Sequence, residues 1–176
     1  TACSRQAMSR PQDQARSTSS AQHAREEIDR LDSLSRYLHA HIPTIGFTEK
    51  ALALDSIDLL LSQIHAAPGD DKSQEQREQL RALASHAYMT YAKGMRYGFV
   101  NPNVIYKKDD YDIVVEQPDS AFMETAQAAF QTDSLCLFLD GCQPQSRVYA
   151  QLMEAFQKDT TAAGRQQIAL NLERLR

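Results

Sequence analysis

The sequence predicts an all-α fold, a compact bundle of about six or seven helices behind a disordered N-terminal tether. Three observations carry this. Apolar residues recur three and four apart in one segment after another, the spacing that places side chains on one face of a helix. Between these segments stand Pro, Gly and Ser/Thr/Asp groups of the kind that stop and start helices. Only one short run, Tyr111-Asp112-Ile113-Val114-Val115, has the composition of a strand. At 176 residues and 42% hydrophobic, the chain is long enough for one ordinary core.

Residues 4–21 are Ser, Gln, Arg, Ala, Thr and Asp with almost no large apolar side chain, so ordering them is not offset by burial. Residues 1–23 are therefore read as a tether and 24–176 as the helical domain. The first helix places Ile28, Leu31, Leu34 and Leu38 on one face and Arg25, Glu26, Glu27, Asp29 and Arg30 on the other, and stops near Pro43. The apolar turn 42–48 follows, with Thr48 as the expected cap of a short piece through Leu52. Asp55 and Ser56 are cap-type residues before a second helix that buries Ile57, Leu60, Leu61 and Ile64 and ends at Pro68-Gly69.

The longest periodic signal runs from about Ser73 to Tyr97 and predicts the central helix, with Leu83, Ala87, Tyr91 and Met95 inward. Gly98 is expected at positive φ just past its end, with Pro102 behind it. Residues 103–116 lack helical period and predict a loop. Pro118 is expected to open a helix carrying Phe122, Ala126, Ala129 and Phe130, and residues 132–134 break it before a shorter one ending at Gly141. After Pro144, Val148, Tyr149, Leu152, Met153 and Phe156 form a broad apolar stripe. A last helix beyond the break at 160–164 packs Ile168, Leu172 and Leu175 and leaves Arg165, Glu173, Arg174 and Arg176 outward.

A formal net charge of −4, with Lys and Arg scattered, lacks the basic excess of a nucleic-acid binder. No run approaches the ~18 apolar residues of a membrane span. Thr1-Ala2-Cys3-Ser4 looks like the end of a bacterial lipobox, and Cys3 is read either as a lipid-attachment residue at the end of a flexible tether or as a free thiol. Cys136 and Cys142 bracket five residues; they are read as two half-buried thiols, with a disulfide as the alternative.

Catalytic constellations are missing from the pattern. His39 and His41, two apart, have no third ligand nearby, and His23, His65 and His86 are isolated. Asp109, Asp110 and Asp112 lack the glycine and terminal glutamate of an EF-hand and read as a solvated loop. Neither cysteine of the domain sits in a nucleophile context, and six glycines supply no phosphate cradle, so no cofactor and no metal is expected.

Three separated segments nevertheless resemble the helical scaffold of long L,D-transpeptidases, whose catalytic domain is of the YkuD type. Residues 87–102 (AYMTYAKGMRYGFVNP) are similar to the family's helix that ends in an arginine, an aromatic and a glycine before a proline turn, here Arg96, Tyr97, Gly98 and Pro102. Residues 144–152 (PQSRVYAQL) are similar to its proline-led helix. Residues 168–176 (IALNLERLR) are the sharpest match, through Asn171, Leu172, Glu173 and Arg174. The chain departs from the family at Phe99, where a basic residue is frequent, and in the loop 103–116. The family's histidine and its serine-glycine-cysteine signature have no counterpart here.

The resemblance implies a non-catalytic fragment of an exported protein of the cell envelope, on the periplasmic side, that forms 3→3 cross-links in peptidoglycan. Its implied partners are a C-terminal catalytic domain of the same polypeptide and peptidoglycan, with the membrane reached only through a lipid anchor and nucleic acid not at all. The alternative is a self-standing helical envelope lipoprotein acting as a protein-interaction module.

Overall fold

The computed structural model describes residues 11–67, 72–101, 103 and 114–176; for residues 11–21, 72 and 73 the backbone alone is described. Among these, seven α-helices and two short 3-10 turns account for the regular structure, and no strand occurs. The fold is all-α, as the periodicity predicts.

Helix α1 (Pro11–His41) begins inside the segment read as tether. Pro11 stands at its first position, where the missing N–H costs nothing. Among its described side chains, from Gln22 on, the first buried one is Ile28, and Leu31, Leu34 and Leu38 follow on the same buried face. Pro43 stops the helix, and the chain passes through a 3-10 turn (Ile42–Thr44) and a second one (Glu49–Leu52) into α2 (Leu54–Ala66). Two capping expectations fail here. Thr48 has the extended backbone of a cap but its side chain makes no capping hydrogen bond. The N-cap of α2 is Ala53 in the left-handed region (φ 51), not Asp55 or Ser56, which lie inside the helix. The close turn decides this: Ala53 N–H donates to the Lys50 carbonyl while its own carbonyl accepts from Ser56 and Ile57.

The long α3 (Lys72–Tyr97) is the centre of the bundle. Leu80, Ala84, Ala87, Tyr88, Tyr91, Ala92 and Met95 are fully buried, because α1, α2 and two later helices pack against it. Three alanines on this surface let neighbouring backbones approach closely. Leu83 is corrected: it is only half-buried, and Leu80 and Ala84 hold the inward positions. The predicted second-helix stop at Pro68-Gly69 lies outside the described residues.

Helix α4 (Ser120–Phe130) starts two residues after Pro118, because the Asp119 carboxylate accepts from Phe122 N–H at 2.7 Å and caps it. Helix α5 (Leu135–Cys142) follows the predicted break and extends one residue past Gly141. Ser146 caps α6 (Arg147–Lys158) by accepting from Tyr149 N–H, and Thr161 caps α7 (Ala162–Arg174) by accepting from Gly164 N–H. Helix α5 lies on α1, α3 and α4, whereas α6 and α7 pair with each other and α6 reaches the 3-10 turn after α1. The stripe on α6 is narrower than expected: Tyr149 and Phe156 are buried, but Val148 is 56% exposed.

Candidate functional site

At one end of the bundle three pieces of backbone remote in sequence meet: the turn after α1, the end of α3, and the last turn of α7. Glycines in the first two permit the close approach. Gly98 closes α3 by donating to the Gly94 carbonyl at 3.0 Å, and its φ of 89° is the left-handed conformation expected past a helix end. Gly94, inside α3, leaves the space that the Phe99 ring fills; a Cβ there would collide with that ring. Gly46 (φ 76) lies against α7, where a Cβ would come within 2.6 Å of the Ala169 Cβ. The Phe47 ring then stacks on Phe99 with centroids 4.0 Å apart.

Glu173 locks this junction. Its Oε1 accepts from the backbone N–H groups of Phe99 (2.5 Å) and Val100 (2.7 Å), the donors exposed where α3 ends, and Oε2 accepts from Arg176 Nη1 at 3.0 Å. Arg176, with a side chain 3% exposed, spends its other nitrogens on the Ile45 carbonyl (2.5 Å) and the Tyr149 hydroxyl (3.2 Å), and its guanidinium lies over the Phe99 and Tyr149 rings. A buried guanidinium requires such a full set of acceptors. The sequence reading that left Glu173 and Arg176 outward on α7 is therefore corrected. The last turn points its charge into the junction because the N–H donors of residues 99 and 100, just past the end of α3, and the Ile45 carbonyl need partners there. Arg165 is also engaged, lying over the Phe156 ring at 4.3 Å.

The other motif residues divide. Leu172 is fully buried, as expected, but Leu175 is 40% exposed, a second correction to the last helix. Arg174 remains exposed and donates a 3.5 Å hydrogen bond to Asn171 Oδ1. It shares the outward face of α7 with Leu170, four residues earlier and 53% exposed. Arg96 is exposed and Tyr97 half-buried, its ring edge-on to Phe122; both lie in a cleft between α3, α4 and α5 and take no part in the Glu173 network. Pro102 and Cys3 lie outside the described residues, as do Asp109, Asp110 and Asp112. Sequence reasoning missed Ile45, Tyr149 and Arg176 as partners. The spacing of Glu173 and Arg176 was a legible signal for their pairing, but nothing local marked it as buried.

Two further polar clusters tie helices together. Asp58 on α2 accepts from the Ser35 hydroxyl at 2.6 Å and meets His39 Nε2 at 2.7 Å, while Glu49 lies 3.6 Å from His39 Nδ1. Burial acts to lower the His39 pKa, but the hydrogen bond to Asp58 and the charges of Asp58 and Glu49 outweigh it and hold the pKa above its ordinary value. Here the aspartate sits between serine and histidine, so the histidine cannot take the serine proton. His41 does not join His39: it stacks on Tyr37 and meets the Tyr37 carbonyl at 2.8 Å. The Tyr37 hydroxyl in turn donates to Asp140 at 2.6 Å and accepts from Gln143 at 3.2 Å.

Neither cysteine of the domain has the character of a nucleophile. Cys136 and Cys142 are free thiols six residues apart on α5, too far round and along one helix to bridge. Burial pushes the Cys142 thiol up to about 11 and also raises Cys136, helped by the nearby Asp140 charge. An activated cysteine needs the opposite shift. Among the described residues no three His, Cys, Asp or Glu side chains gather as a metal site.

Comparison with known proteins returns one finding: a family model described as a scaffold domain matches residues 22–156. No curated protein and no solved structure matches the chain.

Proposed function

The chain belongs to the scaffold-domain family, and from that premise we propose that it is the non-catalytic scaffold of an exported L,D-transpeptidase, holding a catalytic domain of the same polypeptide in position. That catalytic domain would pass a peptidyl donor through a cysteine thioester to an amine acceptor and so form 3→3 cross-links in peptidoglycan. Cys3, lipidated, would hold the whole at the membrane on the periplasmic side.

The observation that supports this reading best is the Glu173 junction. Two of the segments that resemble the transpeptidase scaffold, residues 87–102 and 168–176, are far apart in sequence yet joined by the bonds from Glu173 to the N–H groups of Phe99 and Val100, just past the end of α3. A last helix clamped in this way transmits the orientation of the bundle to whatever is attached to it, because its direction is set by buried bonds. Its outward residues, Leu170, Arg174 and Leu175, are then the surface on which a neighbouring domain rests.

The test is to read the coding region beyond Arg176 and assay its full product. A strand-rich domain with a histidine and a serine-glycine-cysteine run is expected there. In that protein Leu170→Ser with Arg174→Ala should leave melting unchanged and reduce 3→3 cross-links measured on muropeptide digests. Unchanged cross-linking would remove the role of the last helix as a joint. A coding region without a transpeptidase domain would favour the self-standing interaction module instead.

A further inference from the structure

Between the end of α3, the start of α4 and the end of α5 lies an open cleft of about 500 Å³. Its size falls within the ~300–1,000 Å³ of clefts that hold small organic ligands. Its floor is aromatic: Phe122 sits edge-on to Tyr97 at 5.2 Å and tilted against Phe138 at 5.7 Å. On the α5 side the lining is bare at Gly141, where an added Cβ would meet nothing within 4 Å. Two opposite charges line the same cleft, the Arg96 guanidinium and the Glu116 carboxylate. They are not paired with each other, and neither has a hydrogen bond or ion pair to any described residue. The second carboxylate of the lining, Asp119, is already spent as the cap of α4.

A cation and an anion, unpaired among the described residues, line one cleft with an aromatic floor, and a ligand that carries an anion, an apolar middle and a cation satisfies all three at once. The geometry points to this cleft as a binding site for short peptides with free ends, the terminal carboxylate on Arg96, the terminal ammonium on Glu116, and an aliphatic side chain over Phe122 and Phe138. The site is separate from the Glu173 junction and does not depend on the transpeptidase reading.

The experiment uses the 176-residue chain, isotopically labelled, titrated with the tripeptide Ala-Leu-Ala and followed by the ring resonances of Tyr97, Phe122 and Phe138. Saturable shifts of these rings are expected, and capping either end of the peptide, by acetylation or amidation, should weaken binding about two- to fivefold, the worth of one exposed charge pair. Arg96→Gln should abolish the discrimination between acid and amide while keeping that between amine and acetyl, and Glu116→Gln should do the reverse. Both side chains are exposed, so unchanged melting of the two variants keeps the comparison valid. Rings that do not shift at millimolar peptide, or equal affinity for the free and doubly capped peptides, overturn the proposal.

Discussion

Replacing Glu173 by Ala removes three acceptor contacts at once, and its cost can be worked from the surroundings. The bond to Val100 N–H is the cheapest to lose, since Val100 is 46% exposed and its N–H can turn to water. The bond to Phe99 N–H is half-buried, and a charge-assisted hydrogen bond of this kind contributes about 1.5–3 kcal/mol. Arg176 loses the carboxylate that balances a guanidinium 3% exposed, although it keeps the Ile45 carbonyl and the Tyr149 hydroxyl. Breaking a fully buried pair costs about 3–5 kcal/mol; with Glu173 still 21% exposed, the combined loss should be about 2–4 kcal/mol. In urea, with a slope of ~2 kcal/mol/M, the midpoint should fall by roughly 1–2 M. Glu173→Gln keeps an oxygen for the backbone donors and should lose about half as much. The double cycle with Arg176→Ala should return a coupling above ~1 kcal/mol. Arg174→Ala, one residue away but exposed, should change stability by less than ~0.5 kcal/mol. A Glu173→Ala chain as stable as Arg174→Ala would refute the claim that the junction is a buried lock.

Three further outcomes are expected. His39 has a raised pKa in the fold, so its bond to Asp58 contributes fully below the ordinary histidine value near ~6.5 and fades as pH climbs through the higher folded value. The stability gap between the native chain and His39→Gln in urea melts should shrink across that rise, and a constant gap would mean the pair contributes nothing. Leu80→Ala should cost about 2–5 kcal/mol and Leu83→Ala, half-buried, only about 1; equal losses would return Leu83 to the core. Ala53→Gly should raise stability slightly, by about 0.5 kcal/mol in thermal or urea melts, because relief of ~1–2 kcal/mol of left-handed strain exceeds the added entropy of glycine; a destabilised variant would mean that no such strain is held at this position.

Sequence periodicity by itself determined the helical class, the burial of Ile28, Leu31, Leu34 and Leu38, the central place of residues 73–97 and the positive φ of Gly98. Each follows from a local rule: an apolar face must be covered, and a helix end needs a residue free of Cβ strain. Local rules were weaker at the starts of helices. Asp55 and Ser56 are good capping residues that do not cap α2, because the turn at Ala53 starts the helix before them, and Thr48 stands at a cap position without a side-chain bond. Only the tertiary structure decided what the charges do. Glu173, Arg174 and Arg176 are near neighbours in sequence and equally polar, yet two are locked into the junction and one faces solvent. The difference comes from the bare backbone groups of Ile45, Phe99 and Val100, which long-range packing brings under one side of the last turn and which must be satisfied once water is excluded.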